Sequence, residues 1–249
     1  MSTIEERRRI ASAGVPEAPT DGVAARVFLQ PIAAPSVLGL FGFGIATFMV
    51  AANVAGWYGD HTHTPLVLGP FALFAGGLAQ FLAGMWAYRA RDAVATAMHG
   101  IWGSFWLGYG VLQILLATHV LPPPAVWYHD ASFGYWFFAL AIVTASGALA
   151  ALAENLGVFL TLGTLATGSG ILAGALIYGS EGWATVAGWL LVISAGFAWY
   201  TATAMMLAAA GGRTVLPLGK YSRKANKPGA RPMRPIELEW AEPGVKMGQ

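Results

Sequence analysis

The stretch LVLGPFALFAGGLAQFLAGMWAY, residues 66–88, contains no charged side chain and is followed at once by the charged stretch RARD, residues 89–92. An α-helix needs about 20 consecutive, mainly apolar residues to cross a bilayer, so residues 66–88 predict a membrane-spanning helix. Five further stretches have the same length and character. The six predicted spans are Ser36–Trp57, Leu66–Tyr88, Val94–Thr118, Ser132–Ala153, Leu156–Gly179 and Trp183–Ala210.

The composition of the 249-residue chain is typical of an integral membrane protein, since 56% of the residues are hydrophobic and 10% are charged. Soluble domains carry about 25% charged residues. The formal net charge is +2 and the mean hydropathy is +0.58. A soluble enzyme, a nucleic-acid-binding protein and a disordered chain are therefore poor fits. The fold class is predicted as all-α, a polytopic membrane protein with six transmembrane helices.

The distribution of basic residues predicts the orientation of these spans. Lys and Arg occur only before the first span, between the second and the third, and after the sixth. By the positive-inside rule both termini are then cytoplasmic, and the protein is predicted to lie in the cytoplasmic (inner) membrane. The predicted organisation is a cytoplasmic N-terminal tail (residues 1–34), a six-helix transmembrane domain (residues 35–212) and a basic, largely disordered cytoplasmic C-terminal tail (residues 213–249).

Neutral polar side chains inside the spans are the candidate binding groups. Gln80 lies on a stripe of small residues in the second span, where its amide either lines a pore or bonds to a neighbouring helix. In the third span His99, Trp102, Trp106 and Gln113 fall on one helical face. His99 is interpreted either as a packing residue or as a pH-sensitive donor near a cavity mouth. No carboxylate lies deep in a span, which argues against an ion-coupled carrier built on such groups.

Motifs for catalysis, metal binding and nucleotide binding are missing from the sequence. It has no cysteine, no Ser-His-Asp set and no HExxH motif. The glycine-rich run Leu38–Gly44 lacks the Lys-Ser/Thr of a phosphate loop, and its glycines favour helix bending or close helix contacts instead. His61 and His63 have no evident third metal ligand, so a surface loop is the better interpretation. We therefore predict no enzymatic activity, no cofactor and no metal site.

Four stretches of the chain, in register and in order, resemble the acetate uptake transporter family, the acetate/succinate permease group. They are APSVLGLFGFG (residues 34–44), GGLAQFLAG (76–84), GSFW (103–106) and GRTVLPLG (212–219), of which the last is the most distinctive. The first stretch departs from the family's opening motif, because Ala34 and Val37 replace an Asn and a second Pro.

This resemblance implies a six-helix protomer that forms a homohexamer similar in architecture to the proton-gated urea channels. Each protomer is then expected to have its own pore for acetate, other small monocarboxylates or succinate. The family's hydrophobic constriction, carried over by motif, corresponds to Phe43, Trp102 and Leu162. Relatives usually have Tyr at the position of Trp102, so here a larger ring with an indole N–H replaces a phenol.

The predicted function is passive or proton-linked transport of acetate-like acids, either as the neutral acid or as a partly hydrated anion in a widened pore. Neutral donors would hold the carboxylate weakly beside the constriction; the candidates are Gln80, Asn53, His99, Ser104, Trp106 and the indole N–H of Trp102. Small carboxylates, membrane lipids and further copies of the chain are the expected partners, and nucleic acid is not. Two alternatives stay open: a transporter of another solute such as ammonia, and a membrane sensor or scaffold.

Overall fold

The computed structural model describes residues 32–220, and every regular element within that range is helical. Six helices in this range are long and apolar enough to cross a membrane, and each of their ends lies within three residues of the predicted boundary. The all-α, six-span prediction is therefore confirmed. The helices are α1 (Pro35–Val54), α2 (Thr64–Ala90), α3 (Ala93–Ala117), α4 (Ala131–Ala151), α5 (Leu156–Tyr178) and α6 (Glu181–Gly211). The predicted N-terminal tail, up to residue 31, and the basic part of the C-terminal tail, from residue 221, lie outside the described residues.

The ends of the helices follow from local sequence signals. Asp92, Asp130 and Asn155 immediately precede α3, α4 and α5, and each side-chain oxygen accepts a hydrogen bond from the backbone N–H three residues later, at 2.8, 3.1 and 3.0 Å. These bonds satisfy donors that a helix N-terminus otherwise leaves unpaired. Gly179 and Gly212 end α5 and α6 in the left-handed conformation that glycine adopts without strain.

Successive helices run in opposite directions, so the bundle has two ends. We call one the loop end, because it carries the connections of residues 55–63, 118–130 and 179–180. The other is the tail end, which carries the shorter connections of residues 91–92 and 152–155 and the first and last described residues. Within residues 32–220 all basic side chains other than histidine lie at the tail end; they are Arg89, Arg91, Arg213 and Lys220.

Small residues allow the helices to pack closely. A Cβ added at Gly84 of α2 would stand 2.7 Å from the backbone nitrogen of Gly100 on α3, and one added at Gly42 of α1 would stand 2.4 Å from the carbonyl oxygen of Ala75 on α2. Both distances are shorter than any side chain tolerates, so only glycine permits these approaches. The sequence prediction of close contacts in the glycine-rich part of α1 is correct for Gly42.

Helix α2 contains a feature that the sequence analysis missed. Its middle segment, Leu73–Ala79, is a π-helix, and it begins three residues after Pro70, which lies inside the helix. Proline removes a backbone donor, and π-helical turns occur frequently at functional sites. Gly76 in this segment faces Trp106 of α3, whose Cγ would lie 2.6 Å from an added Cβ. The π-helical segment therefore forms part of the surface against which a candidate binding residue packs.

Residues 213–219, which we call the C-terminal strap, pack against the start of α5. The backbone N–H groups of Leu156 and Gly157 donate to the carbonyl oxygens of Gly219 and Leu218 at 3.2 and 3.1 Å. The hydroxyl of Tyr200 on α6 donates to another strap carbonyl at 2.7 Å. The strap thereby satisfies two donors of the first turn of α5 and ties α5 to the end of α6.

Candidate functional site

A cavity of about 1160 Å³ opens among the loop-end connections and extends into the bundle. We call it the chamber. Its walls are mainly apolar and aromatic, with few polar side chains. Helix residues on its wall come from all six helices, and they include Thr47, Asn53, Leu66, Trp102, Trp106, Tyr109, Gln113, Phe137, Leu165, Leu172 and Leu191. Because six helices surround one cavity, the chamber lies inside the subunit.

On α3 the chamber wall reaches as far toward the tail end as Trp102, which belongs to one buried cluster with Phe43 and Leu162. Trp102 forms part of its wall, while Phe43 and Leu162 do not. The rings of Phe43 and Trp102 are in edge contact, with centroids 6.2 Å apart and planes at 73°. Phe43, Trp102 and Leu162 are 3%, 3% and 5% exposed and belong to one buried cluster. We call these three residues the throat.

The indole N–H of Trp102 has a partner on another helix. It donates to the hydroxyl oxygen of Thr144 on α4 at 2.9 Å, and both residues are buried. The sequence analysis considered this N–H as a donor for substrate. The structure instead gives it a protein acceptor on α4.

Trp106 and Thr47 are chamber residues whose polar side-chain atoms are fully buried and unpaired within the described range. Trp106 Nε1 and Thr47 Oγ1 are buried, and neither has a hydrogen-bond partner within residues 32–220. An indole N–H and a hydroxyl are both neutral donors of the kind that a carboxyl group accepts from. Among the predicted binding residues, Trp106 is therefore the one whose position and free donor both fit that role.

Asn53 also lines the chamber, but its amide is engaged elsewhere. Its Nδ2 donates to the carbonyl oxygens of Tyr58 at 2.8 Å and Asp60 at 3.2 Å. These two bonds fasten the connection between α1 and α2 over the loop end. Asn53 therefore holds the rim of the chamber together and has no amide hydrogen left for a substrate.

Gln80 and His99 lie inside the bundle and outside the chamber wall. Gln80 directly follows the π-helical segment, and its Oε1 is buried without a partner within residues 32–220. His99 lies about one turn from Trp102 toward the tail end, and its ring packs against Gly39, where an added Cβ would be 2.5 Å from the ring. Its Nδ1 is likewise without a partner in the described range. The ring of His99 thus packs against α1, and both residues accord with a packing role.

Ser104 differs from the other predicted site residues, because it is exposed on the outer face of α3. Its hydroxyl donates to the carbonyl oxygen of Gly100 on its own helix at 2.8 Å. The helical rotation between Trp102 and Ser104 is about 200°, which puts the two side chains on opposite faces. Ser104 is therefore remote from the chamber within the subunit.

The loop end is acidic and aromatic around the chamber mouth. The ring of His61 stacks on Trp127, with centroids 3.9 Å apart and planes at 25°. Burial lowers the pKa of His61, while Glu181 and Asp60 act in the opposite direction. The hydroxyl of Thr62 and two backbone N–H groups hold the pKa of the Asp60 carboxyl well below its ordinary value. Asp60 therefore stays ionised and organises its turn.

Several chamber residues were missed by the sequence analysis although their spacing offered a signal. Thr47 follows Phe43 by four residues on α1, and Leu165 follows Leu162 by three residues on α5. Residues three or four apart lie on the same helical face, so the throat positions point to these neighbours. Thr144 has no such signal, because it lies 42 residues from its partner Trp102.

Comparison with known proteins settles the family. The model of the GPR1/FUN34/yaaH family matches residues 18–218, which is most of the chain. The chain belongs to the GPR1/FUN34/yaaH family. The solved structure described as that of the bacterial acetate channel SatP superposes on this member with a TM-score of 0.66, at 28% sequence identity, over 76% of this chain and 100% of that one.

Curated members of the GPR1/FUN34/yaaH family are similar over the same region. The succinate-acetate/proton symporter SatP of Escherichia coli (strain K12) is 28% identical over 190 residues, which is 76% of this chain and 96% of the symporter. The ammonia transport outward protein 2 of Saccharomyces cerevisiae is 28% identical over 180 residues, which is 71% of this chain and 62% of that protein. The family resemblance inferred from the four sequence stretches is thereby confirmed.

Proposed function

We propose that this protein is a multi-pass membrane channel or transporter that moves acetate and related small carboxylates, succinate included, through a passage in each subunit. The observation that supports this most directly is the chamber of about 1160 Å³ inside a bundle of this family, with Trp102 on its wall in edge contact with Phe43. In this proposal the throat of Phe43, Trp102 and Leu162 is the constriction. No catalytic step or cofactor is required.

The energetics of the throat limit how an acid can cross it. Transfer of a bare carboxylate to a medium of low dielectric has an idealised cost of about 20 kcal/mol. Protonation of a carboxyl group with a pKa near 4 at pH 7 costs about 4 kcal/mol, at about 1.4 kcal/mol per pH unit. The acid therefore crosses either in its neutral form, which links transport to protons, or through a throat that widens enough to stay hydrated.

The proposed binding groups beside the throat are neutral. On the chamber side they are the indole N–H of Trp106 and the hydroxyl of Thr47, the latter added from the geometry. Gln80 and His99 remain candidates inside the bundle, because each has a buried polar atom without a partner within residues 32–220. Neutral donors bind a carboxylate weakly enough to release it, as conduction requires.

The assembly and orientation of the subunit form part of the same proposal. We expect the tail end to face the cytoplasm, because Arg89, Arg91, Arg213 and Lys220 lie there and the loop-end connections contain no Lys or Arg. We expect a homohexamer in the cytoplasmic membrane, in which lipid and neighbouring subunits cover the exposed apolar faces. Ser104 on the outer face of α3 would then lie toward lipid or a neighbour.

Ammonia is the second candidate solute, because the similar Saccharomyces cerevisiae protein is named for outward ammonia transport. A neutral, apolar throat suits a small uncharged molecule as well as a neutral acid. The two candidates differ in what the chamber donors recognise, since ammonia is a good acceptor but does not share the geometry of a carboxyl group. Competition with acetate uptake separates them.

The test is uptake of labelled acetate by purified protein in liposomes under an imposed gradient, with protein-free liposomes as background. We expect protein-dependent uptake that unlabelled propionate, lactate or succinate reduces and that ammonium chloride at equal ionic strength does not. Repeating the assay across pH separates proton-linked from passive movement. Folded protein that moves no acetate above background would refute the proposal, and inhibition by ammonium alone would favour the second candidate.

A further inference from the structure

The helices α3 and α4 meet along a narrow seam. Among all touching helix pairs within residues 32–220, this pair makes the fewest contacts, whereas α4 packs extensively on α5. Three layers of side chains form the seam. Met98 packs against Gly147 nearest the tail end, Phe105 packs against Phe137 with ring centroids 5.3 Å apart nearest the loop end, and Trp102 meets Thr144 between them.

Within residues 32–220, the middle layer of the α3–α4 seam contains the one hydrogen bond that joins these two helices. Indole nitrogen can only donate, so the Thr144 oxygen must accept from Trp102. The single hydroxyl hydrogen of Thr144 is directed at the carbonyl oxygen of Leu140, 2.6 Å away. The order Trp102 N–H to Thr144 O–H to Leu140 C=O is therefore fixed by chemistry, and each donor in the chain has one acceptor.

This bond acts on the throat side chain that lies on the chamber wall. The Trp102 ring is held from two sides by edge contacts, with Phe43 at 6.2 Å and with Phe105 at 5.3 Å between centroids. A rotation of the indole away from Thr144, which is 0% exposed, would leave its N–H buried without this acceptor, so the hydrogen bond opposes such a rotation.

We propose that Thr144 is a positioning residue of the throat, and that its hydroxyl oxygen holds the Trp102 indole across the α3–α4 seam and so sets the largest acid that passes. Trp102 is then the fixed side of the throat, and Phe43 and Leu162 are the sides that yield to a solute. This inference rests on the proposed function. It assigns the size limit to a hydrogen bond between Trp102 and a residue that is not part of the throat.

Four variants test the inference in the full-length protein. Thr144→Val keeps the shape of the side chain and removes the hydroxyl, while Thr144→Ser keeps the hydroxyl. Ser146→Ala is the matched control, because the exposed Ser146 hydroxyl also donates to a carbonyl four residues earlier, that of Ile142 at 3.1 Å, but has no partner on α3. Trp102→Phe removes the donor of the bond.

The transport measurement compares uptake of labelled acetate and labelled butyrate by each variant in liposomes. For Thr144→Val we expect the butyrate-to-acetate ratio to rise about fivefold, the factor that corresponds to one lost hydrogen bond. Thr144→Ser and Ser146→Ala should keep the wild-type ratio. Adding Thr144→Val to Trp102→Phe should change nothing further, since the bond is already absent.

A spectroscopic measurement follows the bond itself. In ¹⁵N-labelled protein in detergent, the indole N–H resonance of Trp102 is identified by its loss in Trp102→Phe. We expect this resonance to shift upfield and to exchange faster with solvent deuterons in Thr144→Val, but not in Thr144→Ser or Ser146→Ala. A general loss of folding would instead disturb the indole resonances of many of the ten tryptophans.

The outcomes separate this inference from the proposed function. If the wild type moves acetate and Thr144→Val keeps the wild-type ratio, the positioning role is wrong while the transport function stands. The positioning role is also wrong if Thr144→Val raises the butyrate-to-acetate ratio equally with and without Trp102→Phe. It is wrong as well if Thr144→Ser does not keep the wild-type ratio. If the folded wild type moves neither acid, both proposals fail.

Discussion

At the loop end the helices surround a chamber of about 1160 Å³, whereas toward the tail end α3 packs closely on α1 and α2. The difference lies in which residues face the centre. Toward the loop end α3 presents Trp106, Tyr109 and Gln113, which line the cavity. Toward the tail end the ring of His99 packs directly onto Gly39 of α1. In the proposed function, selection takes place at the throat, between the open loop end and the closely packed tail end.

The largest expected effect is at this junction. Trp102→Ala should extend the chamber past the throat, raise acetate flux and admit larger acids, because the indole ring that narrows the throat is removed. Loss of a buried tryptophan should also destabilise the fold by about 3–5 kcal/mol. Flux in liposomes and thermal unfolding in detergent measure the two effects. An unchanged solute profile in folded protein would remove Trp102 from the throat.

The tail end should tolerate added volume poorly. Gly39→Ala puts a Cβ about 2.5 Å from the His99 ring, so we expect destabilisation of about 1–3 kcal/mol by thermal unfolding. The double change Gly39→Ala with His99→Ala should recover part of that loss. Gly163→Ala on α5 is the control, since an added Cβ there meets nothing within 4 Å. Equal effects at Gly39 and Gly163 would show that the tail end is not closely packed.

Helix capping gives a smaller contrast between the two ends. Asn155→Ala at the tail end removes the side-chain acceptor for the first turn of α5 and should cost about 1 kcal/mol. Asn155→Asp keeps an acceptor and should remain close to the wild type. Ser180→Ala at the loop end removes a longer bond, 3.4 Å to the backbone N–H of Trp183, and should cost less. Chemical or thermal unfolding in detergent measures the stability lost in each variant. A larger loss of stability for Ser180→Ala than for Asn155→Ala would contradict this prediction.

The smallest expected effect is a pH dependence at the chamber mouth. Because burial lowers the pKa of His61 in the folded protein, the unfolded chain binds the proton more readily. The contribution of neutral His61 to stability is present above about pH 6.5 and is lost as the pH falls through its lower, folded-state pKa. His61→Phe keeps the stack on Trp127 and should weaken the fall in melting temperature between pH 7.5 and 5.5. An identical fall in both proteins would exclude His61 as its source.

The six spans could be predicted because hydrophobic length alone selects them. The common face of His99, Trp102, Trp106 and Gln113 followed from helical periodicity, and all four side chains are buried as that face requires. The same periodicity argues against Ser104, which was predicted as a binding group: it lies about 200° of helical rotation from Trp102, and the structure places it on the outer face of α3.

Hydrogen-bond partners that depend on irregular connections or on the packing of helices could not be predicted from the sequence. Asn53 was a reasonable donor by type, but the carbonyls that engage its amide belong to an irregular connection whose conformation no sequence pattern determines. The bond from Trp102 to Thr144 depends equally on the packing of α3 against α4. The π-helical segment Leu73–Ala79 was missed because its apolar residues also fit an ordinary α-helix.

Thiol labelling during transport tests the central claim, that acetate enters the chamber and passes the throat, most directly. The chain has no cysteine, so single substitutions are specific. Leu172→Cys lies on the chamber wall, and Leu40→Cys lies one turn from Phe43 toward the tail end. With a membrane-impermeant thiol reagent, we predict that Leu172→Cys is modified and loses acetate flux in proportion, while Leu40→Cys is not modified. Full modification of Leu172→Cys with undiminished acetate flux would contradict the claim.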